Sequence, residues 1–281
     1  ETYGTVIALA ESYVRPGWLM AGTDDGNVWT TQNDGQTWQQ IPMSKFPGMA
    51  TGDIYLGRFE PSHFDANTFY VTFDNHRNND FTPYLYVTTD CGQTFRSIVN
   101  NLPKESPADY VRVIRENAFN RDLLFVGTSR AVYVSVDRGQ NWQRFMTGMP
   151  NTPMYDLQIH PRDKELIVAT HGRSFWIVDI NPLEQMAGSM GARVMAGGAY
   201  LFAPRVAYEY GEPPNLGESF YGIGHKTFQS PSPPHGAEIS YRVGPGATPA
   251  AGEGGGGRGG RGGGGGASIL ISDAAGDTVA V

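Results

Sequence analysis

The residues of this chain that can do chemistry cluster in short polar turns that follow apolar runs. Asp24 and Asp25 occupy one such turn, Asp74-Asn75-His76-Arg77 a second, Ser129-Arg130 a third and His171-Gly172-Arg173 a fourth. Two carboxylates several ångströms apart across a cleft, one of them kept protonated, can hydrolyse a glycosidic bond. Asp24 or Asp25 with Asp74 or Asp156 is therefore the candidate catalytic pair. A rim mixing carboxylate, imidazole and guanidinium equally suits a hydroxyl-rich or carboxylate-bearing ligand. This makes His76, Arg77, Arg130, His171 and Arg173 candidate binding residues. Within them, Gly172 lets the backbone turn sharply and Arg173 can clamp a carboxylate in two places. A solvated loop rim is the plain alternative for all of these positions. The six histidines show no metal-ligand spacing and Cys91 is the single cysteine, so the residues call for no metal, no cofactor and no internal disulfide.

The elements that position these turns are read from a repeat. Thr31-Gln32-Asn33-Asp34-Gly35-Gln36-Thr37-Trp38, Thr88-Thr89-Asp90-Cys91-Gly92-Gln93-Thr94-Phe95 and Ser135-Val136-Asp137-Arg138-Gly139-Gln140-Asn141-Trp142 share the pattern S/T-x-D/N-x-G-x-T/N-W/F. Asn33, Asp90 and Asp137 are placed to accept backbone N–H groups of their own turn. Gly35, Gly92 and Gly139 can take positive φ there without steric cost. Trp38, Phe95 and Trp142 then start the next strand and are expected to pack between neighbouring sheets. The 57- and 47-residue spacings fit four-stranded propeller blades, one with a longer loop. Strands are expected at 6–9, 18–23, 28–31 and 38–41, then at 54–59, 68–73, 84–88 and 94–98. A third unit reads 110–115, 123–128, 132–135 and 141–145. A fourth reads 154–159, 166–170 and 175–179, with no repeat of the turn.

The repeated turn resembles the Asp box of BNR-repeat β-propellers, a group that includes sialidases, sortilin-type domains, some endo-glucanases and photosystem assembly factors. The run from Tyr155 to Asp179 is similar to the last blade of large bacterial proteins of the sortilin-like or "glycosyl hydrolase, BNR repeat" kind. The resemblance implies an all-β fold, with residues 1–210 forming C-terminal blades of a β-propeller. It places the Asp-box turns on one face and the turns that carry the candidate site residues on the other, where BNR enzymes generally bind substrate. A sialidase would need an arginine triad, for which Arg112, Arg130 and Arg173 are conceivable, and a tyrosine nucleophile such as Tyr110 or Tyr155. No spacing selects them. The expected function is non-catalytic binding or scaffolding of a peptide or glycan on the face opposite the boxes. The alternative is a sialidase- or glucanase-like glycoside hydrolase whose active site is shared with further blades. Localisation implied by the resemblance is secreted, periplasmic or cell-surface, in an exported multidomain bacterial protein of which this chain reads as a piece.

Composition narrows the partners. A net charge of −7 over 281 residues, with Lys and Arg scattered, argues against nucleic acid, including at the Gly-rich segment with its two arginines. No apolar run is long enough to span a bilayer, so the segment is expected to be soluble and not to insert directly. With 40% hydrophobic and 12% aromatic residues there is material for a large core, and 37 glycines fit a turn-rich all-β chain. Beyond the blades, Asn181 and Pro182 read as the N-cap and first position of a short helix. Residues 211–236 read as a Pro-rich linker. Residues 237–281 read as the start of an Ig-like β-sandwich module interrupted by a flexible Gly-rich loop, 244–266.

Overall fold

The computed structural model describes residues 4–50, 52–207, 236–244, 270–272 and 274–280. The chain divides into two compact units, Glu1–Gly191 and Ala192–Val281.

The first unit is a series of antiparallel sheets in which every strand pairs with its sequence neighbour. Blade 1 contains β1 (Val6–Glu11), β2 (Leu19–Thr23), β3 (Val28–Thr31) and β4 (Gln39–Ile41). Blade 2 contains β5 (Tyr55–Pro61), β6 (Phe69–Asp74), β7 (Tyr84–Thr88) and β8 (Arg96–Ser97). Blade 3 contains β9 (Val111–Glu116), β10 (Leu124–Thr128), β11 (Val132–Ser135) and β12 (Gln143–Arg144), and blade 4 has β13 (Met154–His160), β14 (Glu165–Thr170) and β15 (Phe175–Asp179). The fourth strands are shorter than the sequence pattern suggests, because the box aromatic precedes the ladder instead of joining it. The first strands of successive blades lie beside one another, β1 by β5, β5 by β9 and β9 by β13, so they line a common axis. This is the radial arrangement of propeller blades.

Alternation along each strand sends one set of side chains to the blade before and the other to the blade after. Phe59, Val71 and Tyr86 of blade 2 join Met20 and Val28 of blade 1 in one buried cluster. Tyr70, Leu85 and Val87, on the other side of the same sheet, join Ile114, Val126 and Tyr133 of blade 3 in a second. The core thus consists of layers between blades.

The box turns lock the far end of each blade. Asp90 Oδ1 accepts the Thr94 N–H at 2.9 Å, Asp137 Oδ1 that of Asn141 at 2.8 Å, and Asn33 Oδ1 that of Thr37 at 3.0 Å. The hydroxyls of Thr31, Thr88 and Ser135 accept the N–H of Gly35, Gly92 and Gly139, whose φ values are 80°, 81° and 77°. Trp142 Nε1 donates to the Ile98 carbonyl at the end of blade 2, and Phe95 packs on Phe46, in the connection leaving blade 1. Trp38 departs from the expected place between blades. It is 40% exposed, against 7% for Phe95 and 3% for Trp142, because among the described residues no blade stands before blade 1 for it to pack on.

After Asp179 the chain enters α1 (Asn181–Met186) instead of a fourth strand. Ile180, not Asn181, occupies the cap position, and the Asp179 carboxylate accepts the Asn181 N–H at 2.8 Å. Buried Glu184 of α1 meets Lys164 at 3.0 Å and Asn117 at 2.7 Å. In the second unit, β16 (Ala199–Leu201) pairs with β17 (Tyr241–Val243), and β18 (Ile271–Ser272) with β19 (Thr278–Ala280). Most of residues 237–281, read in the sequence as the start of an Ig-like module, lie outside the described residues. The Pro-rich segment, apart from Gly236, and the Gly-rich loop, apart from Gly244, lie outside the described residues.

Candidate binding face

Each innermost strand carries a β-bulge at the same place, near its start. Register skips Ile7 in β1, Gly57 in β5, Arg112 in β9 and Tyr155 in β13. A bulge leaves one residue unpaired and re-aims its side chain. The strand end concerned pairs with the residues that enter the β2–β3, β6–β7, β10–β11 and β14–β15 turns, so the re-aimed residues share the face opposite the boxes. Gly57 is required where it stands. A Cβ there would lie 2.6 Å from Thr72 Oγ1 and 2.9 Å from the Arg112 carbonyl, which Thr72 itself hydrogen-bonds.

The consequence is a stacked rail across three blades. His76, from the blade 2 turn, stacks on Tyr110 at 4.9 Å with an interplanar angle of 15°. The Arg112 guanidinium lies over Tyr110 at 5.0 Å and over Tyr155 at 4.6 Å. Tyr155 in turn stacks on His171 of the blade 4 turn at 5.1 Å. Arg112 is fixed at its edge as well, donating from Nε to Ser129 Oγ and from Nη2 to the Tyr110 hydroxyl. His76 is held by Asp74, whose Oδ1 meets both Nδ1, at 2.5 Å, and the His76 N–H, at 3.1 Å. Tyr110 is buried, whereas Tyr155 is 50% exposed. The rail therefore has a rigid base and a solvent-facing edge.

The sequence-derived candidates divide on this face. His76 and His171 are the two ends of the rail, and Asp74 supports one of them. Arg173 is exposed beside His171, and Arg77 lies over the Tyr55 ring at 4.6 Å. Arg130 is paired with fully buried Asp109 at 2.8 Å. Asp24 ties its turn to the segment entering β1 by accepting the N–H groups of Gly4 and Thr5. Asp25 accepts the Thr23 hydroxyl, which holds its carboxyl below the usual range. Three of the four aspartates considered for catalysis, Asp24, Asp25 and Asp74, are thus engaged within or next to their own turns. Tyr110, Arg112 and Tyr155 are the residues that complete the face. Arg112 and Tyr155 are the bulge residues of β9 and β13 and Tyr110 lies two residues before Arg112, relations that are invisible without the register.

A second polar constellation lies deeper, on the axis-lining strands. Arg115 donates to Glu60 at 3.0 Å, to Asp156 at 2.8 Å and to the Leu157 carbonyl at 2.6 Å, tying blades 2, 3 and 4 together. Asp156 also meets Arg58 at 3.2 Å. Burial pushes the Glu60 carboxyl up to about 7, against the opposing pull of Arg115. Glu116, buried nearby, accepts from the Ser62 hydroxyl, the His63 N–H and the Tyr70 hydroxyl, and burial raises its carboxyl too. Glu60 and Arg115 line a cavity of about 410 Å³ together with Glu11, Tyr13, Arg58 and Gln158. Asp156 therefore belongs to an ion network and not to a pair with Asp24 or Asp25. No group of His, Cys, Asp and Glu able to hold a metal occurs among the described residues, and no helix among them is long and apolar enough to cross a membrane.

Residues 84–181, from β7 to the start of α1, match the family model described as Sortilin, neurotensin receptor 3. No curated protein matches the chain. Among solved structures, YCF48 bound to D1 peptide is similar at 17% identity and a TM-score of 0.43, over 62% of this chain and 54% of that one. The GH74 xyloglucanase from Xanthomonas campestris is similar at 15% identity and a TM-score of 0.43, over 57% and 25%. An auxiliary nutrient binding protein from Bacteroides thetaiotaomicron shows 13% identity and a TM-score of 0.44, over 60% and 36%. The chain spans about half the length of the first of these and a quarter of the second. The radial four-stranded blades make the first unit a β-propeller in fold, and its matched segment is similar to the sortilin, BNR-like kind of propeller.

Proposed function

We propose that this Asp-box propeller is a binding module of an exported protein, which takes an extended peptide or glycan across the face opposite its boxes. The observation that carries this reading is the rail His76–Tyr110–Arg112–Tyr155–His171. Its members come from three blades, are locked by stacking and hydrogen bonds, and offer one edge to solvent. Pre-organisation of this kind lowers the entropy lost on binding. Binding to a peptide and glycan array, repeated with Y155A and H171A, tests it. The expected result is at least one ligand whose affinity falls about tenfold or more in both variants. An array in which every hit is indifferent to both substitutions would refute it.

A glycoside hydrolase remains the second reading, favoured by one feature. Such an enzyme needs a carboxyl kept as the acid near neutral pH, and Glu60 meets this beside a cavity that Glu11 also lines. Hydrolysis of a glycan panel that disappears in E60Q would support it. No hydrolysis, or hydrolysis unchanged in E60Q, would leave the binding reading alone.

A further inference from the structure

We propose that the rail recognises acidic peptides, with the Arg112 guanidinium as the anchor for a carboxylate side chain. This inference rests on the binding reading above and narrows it to one class of ligand.

Charge is the first argument. The chain carries a net −7, yet three arginines on or beside this face, Arg77, Arg112 and Arg173, have no carboxylate partner among the described residues. The other arginines there and on the axis do: Arg130 is neutralised by Asp109, Arg115 by Glu60 and Asp156, and Arg58 by Asp156. The aspartates of the same face, Asp24, Asp25 and Asp74, are engaged at their own turns, so these guanidiniums remain local points of attraction for an anion.

Geometry is the second. A guanidinium has five N–H groups. Arg112 commits Nε–H to Ser129 and one Nη2–H to Tyr110, which leaves both Nη1–H groups and the other Nη2–H. Those remaining hydrogens form the end of the fork that a carboxylate meets in bidentate fashion. Contact with the Tyr110 and Tyr155 rings, together with the two edge hydrogen bonds, restricts the orientation of the fork. An incoming carboxylate then meets a donor pair already oriented.

Stacking leans toward peptide over glycan. Sugars dock on open aromatic faces, but Tyr110 is buried against His76 and Arg112, and half-exposed Tyr155 already carries Arg112 and His171 against its ring. What remains is a run of hydrogen-bonding edges and positive charge along three blades. That pattern matches an extended chain bearing repeated carboxylates and peptide carbonyls.

The probes are a ten-residue glutamate peptide, its ten-residue glutamine counterpart and an oligogalacturonate, titrated against the wild-type chain and against R112Q, R112K and R173Q. The wild type should bind the glutamate peptide about tenfold or more tightly than the glutamine one. R112Q should erase that preference. R112K, which keeps charge but loses the planar fork, should retain only a small part of it. R173Q alters an exposed side chain and so leaves the fold intact. It should weaken glutamate binding by a few-fold. Near-ultraviolet circular dichroism checks that each variant is folded, and if R112Q is not, R112K and R173Q carry the test. Equal binding of the two peptides, or a preference that survives both Arg112 substitutions, would overturn the proposal. So would oligogalacturonate binding more tightly than the glutamate peptide, although its dependence on Arg112 would preserve this face as the binding surface. If Y155A and H171A change nothing for any ligand, it is the face itself that is wrong.

Discussion

Replacing Glu60 with glutamine should remove a large part of the pH dependence of this fold. Glu60 is 2% exposed and faces Arg115 and Glu116 of blade 3, with His63 3.9 Å away on its own blade. Burial raises its carboxyl from the ordinary 4.5 to about 7, with Glu116 adding to the rise and Arg115 opposing it. Between those two pH values the folded chain holds a proton that the unfolded chain has released. Stability therefore falls as pH rises through the window, by about 1.4 kcal/mol per pH unit at its steepest. Across the whole window the loss is about 3 kcal/mol from this one group. Glutamine resembles the protonated acid in shape and does not titrate. Whatever constant offset it introduces beside Arg115, the stability difference between E60Q and wild type should move by about 3 kcal/mol in favour of the variant between pH 4.5 and pH 7.5. Urea unfolding of both proteins at half-unit pH steps measures that difference, and subtraction cancels the exposed carboxylates common to both. Parallel profiles would refute the reasoning, since they would mean that Glu60 is ionised in the folded state throughout and that Arg115 outweighs desolvation.

The box turns give further tests by urea unfolding. Trp142→Ala removes a buried ring and its bond to Ile98, and should cost about 3–5 kcal/mol, whereas Trp38→Ala should cost well under about 1 kcal/mol. Equal losses would mean that Trp38 is buried in solution. Asp137→Ala should cost about 1–2 kcal/mol, because it deletes three charge-assisted bonds, to Ser135 and to the side chain and backbone of Asn141. Asp137→Asn should be mild, since Asn33 makes the same backbone bond in the first box. Gly57→Ala should destabilise by more than about 1 kcal/mol, as its Cβ would strike the backbone of the Arg112 bulge. No loss there would show that the bulge is malleable.

The blades were legible in the sequence because their signals are local. A hydroxyl, a carboxylate or amide, a glycine and an aromatic within eight residues specify each box, and all of the bonds that close it lie inside that span. One strain escaped the pattern: Asp34, Cys91 and Arg138, each just before the box glycine, also take positive φ, at 57°, 61° and 57°. Three different residue types occupy this strained place. No residue preference therefore marks it.

The binding face was half legible for the opposite reason. Turn residues such as His76, His171 and Arg173 stand out because polar runs between apolar ones are easy to see. Tyr110, Arg112 and Tyr155 read in the sequence only as conceivable sialidase residues that no spacing selects, because Arg112 and Tyr155 break the alternation of their strands and Tyr110 lies just before β9. A single unpaired residue shifts every later side chain to the other face, so a tyrosine or arginine at a bulge reads as an irregular strand residue. Glu60 and Arg115 were equally hidden, and Asp156 reads in the sequence as half of a catalytic pair: a charge in a strand normally marks the solvent side, and only the convergence of β5, β9 and β13 on one axis turns those three charges inward. In both cases the missing information is a register relation between residues about 40 or more positions apart. A repeated bulge at equivalent positions of successive units is therefore the feature to seek when locating binding residues in blades of this kind. The test within this chain is direct. Ile7, the blade 1 counterpart of Arg112 and Tyr155, should extend the strip when replaced by arginine. I7R should raise affinity for the glutamate peptide by a few-fold, and an unchanged affinity would show that the bulges do not aim their side chains at one common face.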